Sequence, residues 1–241
     1  MAVEESLAPG QTREIASGQY SWSADGVALA ISETWRILRA RTGYALEAEG
    51  NASAVPEFGY IYTSTLSLDD DRRPTGLSMR VTHGENTVRV SAHFEPDAAV
   101  ITRVLISAAA GAIQRTQTFR MPVGYTVEAH PVLFDGLHIA ALNREAAEPY
   151  RRPCLWFDIT AREPGSMMAA YPVSYAIGTF PGPLRNRYSM TRWGYDLHGA
   201  NTLITVRDVE GWLVPSELRF SLVGTVYSVR LAEFSSENGA A

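Results

Sequence analysis

From Gln19 onward the chain is built of short runs in which apolar and polar residues alternate, separated by clusters of glycine, proline, aspartate and asparagine. Alternation with a period of two puts one face of a strand toward a core and the other toward water, and the clusters are turn sequences. The pattern predicts strands over 19–23, 27–38, 44–51, 60–68, 77–83, 86–94, 113–121, 155–161, 173–179, 186–193, 202–208, 213–222 and 225–234. Many short strands with few helices favour an antiparallel barrel, half-barrel or sandwich over an α/β fold.

The stretch 77–94 specifies its own pairing. A two-residue loop at Gly84-Glu85 suits a turn that wants glycine first. That register sets Val81 against Val88, Met79 against Val90 and Leu77 against Ala92, which makes one face dry. The other face pairs Thr82 with Thr87, Arg80 with Arg89 and Ser78 with Ser91. A slip of one residue would mix the faces, so the register is well determined. Arg80 and Arg89 suit either an anion site or a solvated outer face. A second hairpin, 202–220, turns at 209–211, and Pro215 marks an edge or a bulge because it cannot donate to a ladder.

One segment breaks the β pattern, Glu128-Ala-His-Pro-Val-Leu-Phe-Asp-Gly-Leu-His-Ile-Ala-Ala-Leu-Asn143. Pro131 fits a first helical turn, and 132–142 supports about three turns. Apolar residues almost surround this helix, which predicts burial against the concave side of a sheet. Residues 1–17 are polar and read as an arm, and 236–241 as a disordered tail around one all-β domain.

Composition narrows the chemistry. The chain has 241 residues, 46% of them apolar, and a net charge of −5, which argues against sequence-independent nucleic-acid binding. All 21 basic residues are arginine, so neither a Schiff-base lysine nor a P-loop lysine is available. The single cysteine, Cys154, excludes an internal disulfide and a thiolate metal cluster, and its place in an apolar run predicts packing. No apolar run is long enough to span a bilayer as a helix. The first ten residues lack the basic and apolar regions of a signal peptide. The expected compartment is the cytoplasm, or the periplasm for a chain whose signal has been removed.

Two stretches carry a resemblance. One is Tyr60-Ile-Tyr-Thr-Ser-Thr-Leu-Ser-Leu-Asp-Asp-Asp-Arg-Arg-Pro-Thr-Gly-Leu77, a strand and a polar turn with Arg-Pro leading into the next strand. The other is Val206-Arg-Asp-Val-Glu-Gly-Trp-Leu-Val-Pro-Ser-Glu-Leu-Arg-Phe220 with the strand after it. Both resemble an uncharacterised family of mostly exported bacterial proteins with a fold similar to the lipoprotein carriers. The resemblance implies a strongly curved antiparallel sheet, short helices plugging its concave face and a greasy cavity between them. It supplies no catalytic residues.

Three polar residues on the apolar segment are candidates for acid–base chemistry: His130, Asp135 and His138. Asp135 and His138 stand three apart and share a helix face, where a carboxylate can orient an imidazole as a general base. Their spacing matches no metal-site signature, and no metal is expected. The second half of the chain is rich in aromatics, with prolines and glycines between them. Trp156, Tyr175, Tyr188, Trp193 and Tyr195, with Arg187 and Arg192, are expected at a ligand pocket, the arginines meeting an anionic group. The sequence thus predicts an all-β, strongly curved antiparallel half-barrel or open barrel with one or two short helices on its concave face. The function expected of it is binding of a hydrophobic or amphipathic, lipid- or isoprenoid-like molecule between sheet and helix. The alternative is a cofactor-independent isomerase, cyclase or lyase acting on a hydrophobic substrate through His/Asp chemistry. No cofactor and no nucleic-acid partner are expected in either case.

Overall fold

The computed structural model describes residues 11–108, 111–140, 150–159, 166–179, 187–193, 201–209, 211–222 and 224–236. Among the described residues fifteen strands form one sheet. The first eight are β1 (Thr12–Ala24), β2 (Val27–Ala40), β3 (Tyr44–Asn51), β4 (Tyr60–Leu68), β5 (Pro74–His83), β6 (Asn86–Glu95), β7 (Ala98–Ser107) and β8 (Gly111–Arg120). The rest are β9 (Thr126–Glu128), β10 (Tyr150–Asp158), β11 (Ala169–Thr179), β12 (Arg187–Trp193), β13 (Asn201–Val209), β14 (Trp212–Leu222) and β15 (Thr225–Ser236). The order across the sheet is β8-β7-β6-β5-β4-β3-β2-β1-β15-β14-β13-β12-β11-β10-β9. The chain starts at mid-sheet, runs outward to β8 and crosses over to the opposite edge. It then returns strand by strand until β15 pairs with β1. Every pairing is antiparallel except that of β9 with β10, where the crossover enters.

Strand spacing shows how strongly the sheet curls. Adjacent strands lie about 4.8 Å apart, so β3 and β14 would be roughly 19 Å apart if the sheet were flat. Yet the rings of Tyr44 on β3 and Trp212 at the start of β14 meet at 5.0 Å. Arg103 on β7 and Met167 just before β11 would be roughly 50 Å apart in a flat sheet. Instead Arg103 donates a hydrogen bond to the Met167 carbonyl at 3.1 Å. The sheet therefore curls almost onto itself without closing into a barrel: among the described residues β8 and β9 remain its two edges.

The crossover fills the concavity. After β9 it forms a 3-10 turn, η1 (Val132–Phe134), and a short α-helix, α1 (Asp135–Ala140), lying against β3 and β14. Leu133, Phe134 and Ile139 are buried in a core that is continuous with the inward residues of the strands. The helix expected over 132–142 thus opens as a 3-10 turn, and its last two positions lie outside the described residues. Gly136 is required for the fit, because a Cβ there would stand 1.8 Å from the Leu213 carbonyl oxygen on β14.

The 77–94 hairpin pairs as expected, Val81 with Val88 and Arg80 with Arg89, and Gly84 takes the left-handed φ of 57° that its turn needs. Pro215 sits at a register shift between β13 and β14, a bulge as anticipated. Several elements differ from the sequence reading: β9 had no expected counterpart, and β10 begins at Tyr150 rather than at 155. β1 begins at Thr12, so residues 12–17 run in the ladder rather than in a free arm. β7 had no counterpart among the expected strands: Ala-Ala-Val-Ile-Thr-Arg-Val-Leu-Ile-Ser is apolar on both phases, and alternation does not reveal it. No helix among the described residues is long and apolar enough to cross a membrane.

Candidate functional site

The concave face carries two features that bear on function, one on each side of the plug. The first is a cavity of about 730 Å³ between sheet and helix, within the range of small-molecule sites. Its deep walls are apolar: Ile37 and Leu46 from the sheet, Leu133 and Leu137 from the plug, and Val127 and Val214 beside them. Its rim is charged, with Asp69, Asp71, Arg72 and Arg73 from the β4–β5 turn, Glu95 from the end of β6, and Arg152 from β10.

The two stretches that carry the sequence resemblance meet at this rim. Arg72 sits in the left-handed region with φ 62°, a conformation that costs a non-glycine residue on the order of 1 kcal/mol. It is held there from the other stretch: its guanidinium lies 4.2 Å from the Trp212 ring centroid and donates to the Gly211 carbonyl. Tyr44 closes the group against Trp212, with Arg39 stacked 4.6 Å above its ring. The turn beneath is fixed by Asp69, whose carboxylate accepts the Arg73 N–H at 2.8 Å. A rigid aromatic and arginine clasp thus joins two loops across the cavity mouth.

The second feature is a buried polar cluster. Glu33 on β2 is 1% exposed, and its Oε1 accepts the backbone N–H of Val132 at 2.9 Å, which ties the start of the plug to the sheet. Its other oxygen lies 3.6 Å from His130 Nε2, and the Tyr60 hydroxyl is 3.4 Å from the same nitrogen. The rings of Trp22, Tyr60 and Tyr62 surround the imidazole at 5.8, 5.7 and 5.1 Å. Tyr20, Glu33, Gly50 and Tyr62 stand side by side across β1 to β4. Gly50 leaves the gap that Tyr62 occupies: a Cβ there would lie 2.2 Å from the tyrosine ring. The Tyr62 hydroxyl is near enough for Glu33 to act on it, yet both it and Glu33 Oε2 are buried without a well-formed hydrogen bond.

Burial sets the protonation of this pair. It pushes the Glu33 carboxyl up to about 7, against the lowering effect of the Val132 hydrogen bond and of the nearby Tyr62 hydroxyl. It pushes His130 down to about 4. The shared proton therefore sits on the carboxyl in mildly acidic solution, and both groups are uncharged. Burial and the Glu33 charge also raise the hydroxyls of Tyr20 and Tyr62 far above their ordinary value.

The expected site residues are distributed as follows. His130 joins the buried cluster. Asp135 opens α1, half-buried, and its charge acts on Tyr20; the cavity lining takes Gly136, Leu137 and Ala140 from this helix. The His138 side chain lies outside the described residues, so the Asp135–His138 distance is not part of the site described. Trp156, Tyr175 and Tyr188 are buried in β10, β11 and β12, and Trp156 packs on Tyr171 at 5.8 Å. None of the three is a wall of the cavity. Arg187 is exposed at the start of β12. The side chains of Arg192 and Trp193, and all of Tyr195, lie outside the described residues. Cys154 is buried in β10. The sequence reading missed Glu33, although a signal was present: in Ile31-Ser-Glu-Thr-Trp-Arg-Ile37 the carboxylate falls on the apolar phase.

No family model matches the chain, and no curated protein matches it. Among solved structures the chain is similar to a β-barrel-like protein of the domain-of-unknown-function family DUF1849 from Brucella abortus. The TM-score is 0.58 and the identity 9%, over 95% of this chain and 100% of that one. A DUF1089 family protein from Pseudomonas aeruginosa is also similar, with a TM-score of 0.47 and 10% identity over 88% of this chain and 92% of that one. That second likeness is too distant to carry an argument. The first shows a shared curved β fold, and nothing about what is bound.

Proposed function

We propose that the protein binds a small amphipathic molecule, lipid- or isoprenoid-like, with its apolar part in the cavity between sheet and plug and its polar end at the charged rim. The observation that carries this reading is the cavity itself, whose apolar walls come from both the sheet and the plug and whose rim holds charges of both signs. Burying a chain of methylenes there contributes about 0.8 kcal/mol for each one removed from water. The clasp of Arg72, Trp212 and Tyr44 supports the reading, since it stiffens the mouth before any ligand arrives. The sequence resemblance to lipoprotein-carrier-like proteins agrees with it as an analogy of fold.

The test is binding of the apolar fluorophore N-phenylnaphthylamine to the wild type and to Leu137→Trp, which fills the cavity from the helix side. Saturable binding that falls at least tenfold in a folded Leu137→Trp protein supports the proposal. Equal binding by both proteins overturns it.

A second reading, acid–base catalysis, is favoured by one observation: an imidazole and a carboxyl in contact, both displaced by burial from their ordinary protonation. Against it, one Glu33 oxygen is committed to Val132, and the pair is not among the cavity walls. We assign the pair to anchoring the plug.

A further inference from the structure

We propose that Arg103 and Arg115 form a binding site for an oxyanion, a phosphate or carboxylate group, on the concave side where β7 and β8 face the turn into β11. The two arginines are direct cross-strand partners, so both side chains leave the same face of the sheet. Like charges placed directly opposite each other are destabilising, and neither has a carboxylate partner among the described residues. Arg103 is half-buried and oriented, because its Nη1 donates to the Met167 carbonyl at 3.1 Å. Its Nε is shut away from solvent and has no acceptor. A buried donor without a partner costs on the order of 1–3 kcal/mol, and more when charged, so the site is matched to an acceptor that brings negative charge.

The guanidinium fork presents donors in one plane, which is the geometry that recognises phosphate and carboxylate oxygens in pairs. Burial and the neighbouring Arg115 charge both pull Arg103 below the ordinary arginine value, whereas Tyr171 from β11 acts the other way. An anion between the two guanidinium groups would relieve both effects. Tyr171, packed on Trp156, is near enough to act on Arg103.

The fold contains its own control. Arg80 and Arg89 are paired in the same way between β5 and β6, but both are exposed, in a broad open concavity of about 1010 Å³ on the other face that also holds Glu47 and Glu49. The cavity under the plug is a separate place, since neither Arg103 nor Arg115 is one of its walls.

The experiment is calorimetric titration at constant ionic strength with inorganic phosphate and, in parallel, with dodecyl phosphate below its micelle concentration. The proteins are the wild type, Arg115→Gln, Arg80→Gln and Leu137→Trp. Arg115 is exposed, so its variant is expected to fold. Saturable binding that weakens at least tenfold in Arg115→Gln and is unchanged in Arg80→Gln supports the site. If inorganic phosphate alone suffices, the ligand is a free anion; if only dodecyl phosphate binds, it is a headgroup. Retention of phosphate binding in Leu137→Trp separates this site from the cavity. No saturable response to either probe, or an equal loss in Arg80→Gln, overturns the proposal.

Discussion

Glu33 is the residue that ties the plug to the sheet. Its carboxyl is buried between Ile31 and Trp35 on the inward phase of β2, and it holds the first free N–H of the plug. In an unfolded chain the carboxyl gives up its proton near 4.5 and the imidazole near 6.5; in the fold these steps come near 7 and near 4. Folding thus moves one proton from His130 to Glu33 and leaves the number bound almost unchanged, so the intact pair adds little pH dependence. Single variants expose the two halves. In His130→Gln the raised Glu33 remains; its contribution is full below about 4.5 and is lost as pH rises through 7. In Glu33→Gln the lowered His130 remains; its contribution is full above about 6.5 and is lost as pH falls through 4. Urea midpoints should therefore slope in opposite directions with pH for the two variants. Parallel slopes would contradict the assignment. Gly50→Ala should also destabilise, by about 1–3 kcal/mol in chemical unfolding, because the new methyl displaces the Tyr62 ring from its place beside Glu33.

Among the elements, the plug makes the tightest backbone contact with the sheet. Gly136→Ala would drive a methyl into the Leu213 carbonyl, a backbone atom that cannot swing aside, and should cost about 3 kcal/mol or more in thermal unfolding. A melting temperature within a degree of wild type would show that the plug is loosely seated. The sequence makes strands legible where alternation is clean. The β5–β6 hairpin follows from Val81, Met79 and Leu77 facing Val88, Val90 and Ala92, down to the individual pairs. It hides β7, because Val100 and Ile106 place apolar side chains on the outer phase and remain exposed. The plug was legible as an apolar helix, but its docking depends on a glycine meeting a strand 77 positions later, which no local pattern contains. The cavity rim was half legible: both stretches stand out in the sequence, while their meeting through Arg72 and Trp212 is a product of sheet curvature.

At the scale of the molecule, the placing of β1 against β15 lets one long sheet fold around its own crossover. The first and last strands are the seam between the two halves. Removing β15 would leave β1 and β14 without a partner between them, and should abolish cooperative unfolding rather than trim one edge. Circular dichroism melts of a chain ending at Leu222 test this, and a sharp transition would contradict it. The curvature also makes the cavity, since only a sheet that brings Tyr44 to Trp212 encloses space beneath the plug. Native mass spectrometry of the purified protein tests the binding role most directly. The predicted result is a one-to-one adduct with the mass of an amphiphile, removed by organic extraction and absent from Leu137→Trp. An adduct retained in full by folded Leu137→Trp, or wild-type protein that takes up no amphiphile when one is supplied, would contradict it.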